Sequence, residues 1–282
     1  MMTIRQAIAL GAETLSAVPD PKLDTVELLC TVLGEEPLTL RLKAGESLTR
    51  MQEERFRSLL LLRARREPLH YLLGTRCFYG LDFAVDARAL IPRQETEMLC
   101  ELALRMMMKF PAPAVLDVGT GSGAIAVTLK RNRAAASVTA TDISAEALSL
   151  ARENARRLGA DVRFLQGDLL APVAGETFDV IVSNPPYVES AACDTLQPEV
   201  LREPRLALDG GADGLDCYRR LAAETPACLR AGGYLLMEVG DGQALGVIGL
   251  LRETCAFTDA RFHLDLYRKR RYVSARRAAQ PT

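Results

Sequence analysis

The chain has 282 residues, 49% hydrophobic and 25% charged, with 35 Lys and Arg against 36 Asp and Glu for a net charge of -1. That composition excludes a disordered chain, and at roughly 150 residues per domain the length allows about two domains. Nearly balanced charge supplies no long-range field for a polyanion, so a dedicated duplex binder is disfavoured and no stable nucleic-acid partner is expected.

The first seventy or so residues read as helices. Asp20 with Pro21 is a helix start, and Leu23, Val26, Leu29 and Leu33 recur on one face before Gly34. Thr49-Arg50-Met51-Gln52 has capping-box spacing and opens a second helix through Phe56, Leu59, Leu60 and Arg63, which must stop near Pro68. A purely structural bundle and a docking module are both open readings of this segment. Between Arg76 and Ile91 the period changes to two, with Phe78, Leu81, Phe83 and Val85 around Gly80 and Asp82, and this predicts a short hairpin joining two domains.

A helix over about Glu95 to Lys109 and the breaker Pro111-Ala112-Pro113 follow. Strands are then predicted at Ala114 to Val118, Ser137 to Thr141, Val162 to Leu165, Phe178 to Ser183, Gly233 to Val239, Phe257 to Leu264 and Arg271 to Ala275, with helices in most of the gaps. Such alternation means an α/β fold with a largely parallel sheet. The boundaries expected are a helical domain over 1–75, a hairpin linker over 76–92 and a catalytic domain over 93–282.

Seven cysteines lie scattered at 30, 77, 100, 193, 217, 228 and 255 with no Cys-x-x-Cys pair, a pattern of free thiols in a reducing compartment. The apolar stretches, such as Leu59 to Leu62, fall far short of the roughly 20 residues of a bilayer span, and Met1 to Leu10 has no long apolar segment. A soluble, cytoplasmic protein without membrane contact is expected. With only His70 and His263, both read as structural, no metal site is expected and chemistry must come from other groups. Met106-Met107-Met108 reads as core packing at a helix end, and the basic run Arg268 to Arg271 with Arg276 and Arg277 as a solvated strand and tail.

Two motifs carry chemistry. The strand Ala114 to Val118 runs into Gly119-Thr120-Gly121-Ser122-Gly123 and then a helix, so that backbone can approach a nucleotide closely, and Asp142 ends the next strand where a carboxylate can accept from a ribose diol. This pair alone also suits a dinucleotide site. Asn184-Pro185-Pro186-Tyr187 after the apolar strand 178–183 is more specific. Its prolines stiffen the turn and remove backbone donors, Asn184 adds an acceptor, and the loop thereby presents oxygens to an NH2 group while Tyr187 offers a flat face to a planar substrate.

Together the GTGSG loop, Asp142, Gly167-Asp168-Leu169 and the NPPY loop resemble the class I S-adenosylmethionine-dependent methyltransferases that act on planar nitrogen. Leu90-Ile91-Pro92-Arg93-Gln94-Glu95-Thr96-Glu97 and Glu203-Pro204-Arg205-Leu206-Ala207-Leu208 are similar to segments of the release-factor glutamine N5-methyltransferases (PrmC/HemK). Gln94 stands where that family usually has proline, and Leu169 where some members have an aromatic residue.

The resemblance implies a Rossmann-like domain with a mostly parallel seven-stranded sheet behind a small N-terminal helical bundle. It implies S-adenosyl-L-methionine as cofactor, leaving as S-adenosyl-L-homocysteine. The methionine end would lie over Gly119, Gly121 and Gly123 within the loop that includes Thr120 and Ser122, the ribose on Asp142, the adenine near Asp168 and Leu169, with a further contact from Asp117. The implied substrate is the GGQ glutamine of class 1 peptide chain release factors, held by Asn184, Pro185, Pro186 and Tyr187, with the helical domain as its dock. An exocyclic NH2 of adenine or guanine poses the same geometric problem to an NPPY loop, and a nucleic-acid amino-methyltransferase is the alternative reading.

Overall fold

The computed structural model describes residues 2–279. Contacts divide them into two compact units, one formed by the residues up to Thr75 with Gln197–Arg202, the other by Arg76–Leu196 with the residues from Glu203 onward.

The first unit contains α1 (Ile4–Thr14), α2 (Pro21–Leu33), α3 (Pro37–Leu42), α4 (Arg50–Ala64) and α5 (Leu69–Leu73). Reciprocal capping boxes start α1 at Thr3 with Gln6 and α4 at Thr49 with Gln52. Helix α2 has Pro21 at its first position and ends at Gly34 in the left-handed region, but Asp20 makes no side-chain cap bond. Its buried stripe is Thr25, Leu28, Leu29 and Val32, whereas Leu23, expected inside, is exposed, because α1 and α4 pack on the other side of the helix. Buried Arg63 donates to Asp24 Oδ2 at 2.7 Å and to Glu199 Oε1 at 2.7 Å, and Arg66 adds a second guanidinium. Burial would raise the Glu199 carboxyl, but Arg66 and Arg63 hold it down at about 2. These bonds explain why 197–202, distant in sequence, belongs with the helices.

The hairpin of β1 (Thr75–Phe78) and β2 (Leu81–Ala84) turns through Tyr79 and Gly80, both at positive φ, as a two-residue type I′ turn requires. From Arg76 on it belongs to the second unit. Phe78 and Phe83 meet edge to face inside that unit's core, and Asn154 pairs with both the N–H and the C=O of Ala84. Segment 76–92, expected as a linker, is therefore part of the α/β body.

That body continues with α6 (Glu95–Met107), β3 (Ala114–Val118), α7 (Ala124–Asn132), β4 (Ser137–Asp142), α8 (Ala145–Arg157), β5 (Val162–Gln166), β6 (Phe178–Ser183), α9 (Ser190–Cys193), α10 (Asp216–Cys228), β7 (Leu229–Glu238), α11 (Ala244–Glu253), β8 (Phe257–Leu264) and β9 (Arg270–Arg277). Seven strands form one sheet in the order β5-β4-β3-β6-β7-β9-β8, parallel from β5 to β7 and antiparallel at β9 and β8. The fold is the expected Rossmann-like one. Strand β7 starts at Leu229 rather than Gly233, with a register irregularity opposite Phe178 and Val180, and β9 runs on to Arg277 because it pairs on both sides.

Alternation along the strands divides the core. Val115, Val180, Val182 and Leu236 face α6 and α7, while Leu116, Val118, Ile181 and Leu235 face α10 and α11. Both faces are covered, which is why these strands read as continuous apolar runs. In the Met106–Met108 run only Met107 is fully buried, and Met108 is exposed. No helix among the described residues is long and apolar enough to cross a membrane.

Candidate active site

Register decides which loops meet. Strand β3 lies between β4 and β6, with Val118 opposite Thr141 on one side and Ser183 on the other, and Asp142 opposite Gln166. Gly119, Asp142, Gly167 and Asn184 therefore leave the carboxyl ends of four adjacent strands, at the point where the strand order reverses and open α/β sheets bind ligands. A cavity of about 570 Å³ opens there, within the range of small-molecule and cofactor sites.

Of the residues expected at the site, Gly119, Thr120, Gly121, Ser122, Asp142, Asp168, Leu169, Asn184 and Pro186 line this cavity. Asp142 braces it as well as lining it. Its Oδ2 accepts from Gly121 N–H at 2.8 Å and its Oδ1 from Ser144 N–H at 2.9 Å. Burial raises its carboxyl, opposed by backbone N–H bonds. Asp168 meets Arg220 at the wall with both oxygens at 2.9 Å. Ile143 and Ala147 add apolar lining beside Leu169.

Four residues lie behind the wall instead. Gly123, at φ 83°, begins α7, and an added Cβ would stand 3.1 Å from the Cβ of Ala151 on α8. It packs close against α8 and does not line the cavity. Gly123→Ala should thus destabilise the fold by about 1–3 kcal/mol, read as a lowered midpoint in urea unfolding. An unchanged midpoint would show that α8 yields freely. Asp117 is fully buried under the loop, its Oδ2 accepting from Thr120 Oγ1 at 2.6 Å and Ala126 N–H at 3.1 Å, and burial pushes its carboxyl up to about 7.

Pro185 is buried, and the Tyr187 ring packs against the α10–α11 core beside Gly240 rather than offering a face to the cavity. The Tyr187 carbonyl accepts from Gln243 Nε2 at 2.9 Å, and Val188 exchanges backbone bonds with Leu208 and Gly210. Gly214 must be glycine here, since a Cβ would fall 2.4 Å from the Tyr187 oxygen. The four-residue loop is thus clamped from behind, leaving Asn184 and Pro186 at its front.

Sequence reasoning missed three features. Thr96 lines the cavity, and Asn184 Nδ2 donates to its Oγ1 at 3.2 Å. Thr96 Oγ1 in turn donates to Glu238 Oε2 at 2.7 Å, and burial pushes the Glu238 carboxyl up to about 7. Glu203 joins the two segments 90–97 and 203–208, accepting from Ile91 N–H at 2.9 Å and pairing with Arg93. A carboxylate closing an apolar strand, as Glu238 does, was the available signal. Among the described residues no group of three His, Cys, Asp or Glu is placed to hold a metal ion.

Comparison with known proteins gives two family matches, the Methyltransferase small domain over residues 94–212 and the PrmC N-terminal domain over residues 6–74. The chain is 45% identical over 255 residues to a release factor glutamine methyltransferase of Geobacter sulfurreducens, covering 89% of each chain. It is 46% identical over 265 residues to one of Deinococcus radiodurans, covering 94% of each. A methyltransferase structure from Pyrococcus furiosus matches with a TM-score of 0.53 at 21% identity, over 71% of this chain and 91% of that one, a likeness of fold.

Proposed function

Because the chain belongs to the release factor glutamine methyltransferase family, we propose that it transfers methyl from S-adenosylmethionine to the side-chain amide nitrogen of the GGQ glutamine in class 1 release factors, with Asn184 as the residue that receives that nitrogen. The observation carrying this reading is the orientation of Asn184: its Nδ2 is committed to Thr96, which leaves Oδ1 as the acceptor toward the cavity.

The cavity suits the cofactor. The backbone of Gly119 and Gly121 can approach the methionine end closely, Asp142 offers carboxylate oxygens to the ribose diol, and Ile143, Ala147 and Leu169 offer an apolar slot to adenine. Bound there, S-adenosylmethionine supplies a methyl already activated on a sulfonium, so the protein's share is binding and orientation.

A glutamine amide nitrogen is a poor nucleophile because its lone pair is delocalised into the carbonyl. Asn184 Oδ1 accepts from the NH2, fixes the nitrogen and stabilises the positive charge developing on it, as a preorganised dipole does. A methylated, protonated amide is acidic enough to yield its proton to water, and no histidine is needed.

We further propose that the helical unit docks the release factor, since Leu38, Leu42 and Met51 are strongly exposed on it. Leu38→Glu with Leu42→Glu should lower kcat/KM for intact factor by roughly tenfold or more while sparing a short GGQ peptide, because remote binding energy positions only the intact substrate. Equal loss on both substrates would remove the docking role. The site of transfer is tested by mass spectrometry of the treated factor, where methyl is expected on the GGQ glutamine and nowhere else.

A further inference from the structure

A side-chain amide can turn either its oxygen or its NH2 toward a cavity with almost the same shape, yet only the oxygen accepts from a substrate NH2. Something must therefore choose between the two orientations of Asn184. Thr96 carries a single hydroxyl hydrogen, which it gives to Glu238 Oε2, so the lone pairs of its Oγ1 face Asn184 Nδ2. We infer that Glu238 is a positioning residue that acts through Thr96 to hold Asn184 Oδ1 toward the incoming amide nitrogen. This inference rests on the proposed glutamine reading.

The fold builds the chain of bonds deliberately close. Ser183 is opposite Met237, so Asn184 and Glu238 are the next residues of adjacent parallel strands, and Thr96 reaches them from the first turn of α6. Thr96 is 4% exposed and Glu238 1%, so water does not compete for these bonds.

Protonation would reverse the direction. A neutral Glu238 can donate to Thr96 Oγ1, whose hydrogen then turns to Asn184 and favours the amide with its oxygen inward and its NH2 facing the substrate NH2. Burial raises the Glu238 carboxyl to about 7 against the Thr96 bond, with Arg271 and Arg93 pulling it down and Glu95 pushing it up. Tyr187, Tyr218, Tyr272 and Cys100 also interact with it, and burial pushes each further above an ordinary value at which it is already neutral near pH 7. The ionised form is the productive one, so turnover should rise as pH increases through this titration.

The test measures kcat against pH for the full chain with intact release factor and S-adenosylmethionine, comparing wild type, Glu238→Gln, Thr96→Val, Thr96→Ser and Asn184→Ala, with thermal unfolding as a check of folding. Expected for wild type is an acid limb in the neutral range. Glu238→Gln should be slower by roughly 10- to 100-fold, by analogy with the loss of a side chain that orients a metal ligand. Its profile should be flat where wild type has the limb, with cofactor KM little changed. Thr96→Val should behave similarly, and Thr96→Ser should recover turnover together with the acid limb. Wild-type kcat or a wild-type acid limb in folded Glu238→Gln would overturn the inference and assign the limb to Asp117 or Asp142. If Glu238→Gln fails to fold, equal turnover of Thr96→Val and Thr96→Ser overturns it instead. An inactive Asn184→Ala beside those outcomes confines the failure to Glu238 and Thr96, whereas a fully active Asn184→Ala means that the proposed role of Asn184 has itself failed.

Discussion

Asn184→Ala is expected to lower kcat on the order of 10²- to 10³-fold, the effect of losing one preorganised partner of a transition state, or about 2.7–4 kcal/mol. Cofactor affinity should hardly move. The separation follows from position: Asn184 leaves β6 at the front of the clamped loop, while Gly121 and Asp142 form a different part of the wall, joined by their own hydrogen bond. Its Nδ2 bond to Thr96 is lost as well, but Thr96 keeps its bond to Glu238, so the wall should survive the substitution. Single-turnover kinetics at saturating cofactor, with calorimetric titration of the cofactor, checks both halves. Turnover near wild type would remove Asn184 from the chemistry, and a large loss of cofactor affinity would make it a binding residue.

Asp142→Ala should weaken S-adenosylmethionine binding by about 1.5–3 kcal/mol, the range for hydrogen bonds to a charged group. That corresponds to roughly a ten- to 150-fold rise in Kd. Two losses combine here, the carboxylate offered to the ribose and the brace on Gly121 and Ser144. Asp142→Asn keeps the shape without the charge and should fall between wild type and alanine. Because burial raises the Asp142 carboxyl and its ionised form is the better acceptor, affinity should also fall as pH drops through its titration, a dependence that alanine abolishes. Unchanged Kd in the alanine variant would place the ribose elsewhere.

The parts of this site that follow chain order were legible in the sequence. Strand, glycine turn and helix at 114–124, the acidic residue closing β4 and the loop at 184–187 each announce themselves locally, and alternating elements imply that their strand ends share one edge of a parallel sheet. What periodicity does not carry is sidedness within a short loop. Tyr187 and Gly123 belong to motifs yet sit behind the wall, because the α10–α11 core beside Gly240 claims the first and α8 the second. Contacts between distant segments were equally hidden. Thr96 to Glu238 spans 142 residues and Glu203 to Ile91 spans 112, and no local pattern encodes such pairs. On α2, Leu23 is exposed although its spacing predicts it inside, because two apolar stripes overlap on one helix and only the packing of α1 and α4 selects between them.

Whether Asn184 presents an acceptor to a protein glutamine is decided by incubating the full chain with methyl-labelled S-adenosylmethionine, intact class 1 release factor and an excess of total RNA and DNA in one reaction. The label is expected in the release factor, at the GGQ glutamine, and to disappear when that glutamine is replaced or when Asn184→Ala takes the place of wild type. Label in nucleic acid with none in the factor, or label in the factor that survives loss of the glutamine, would contradict it.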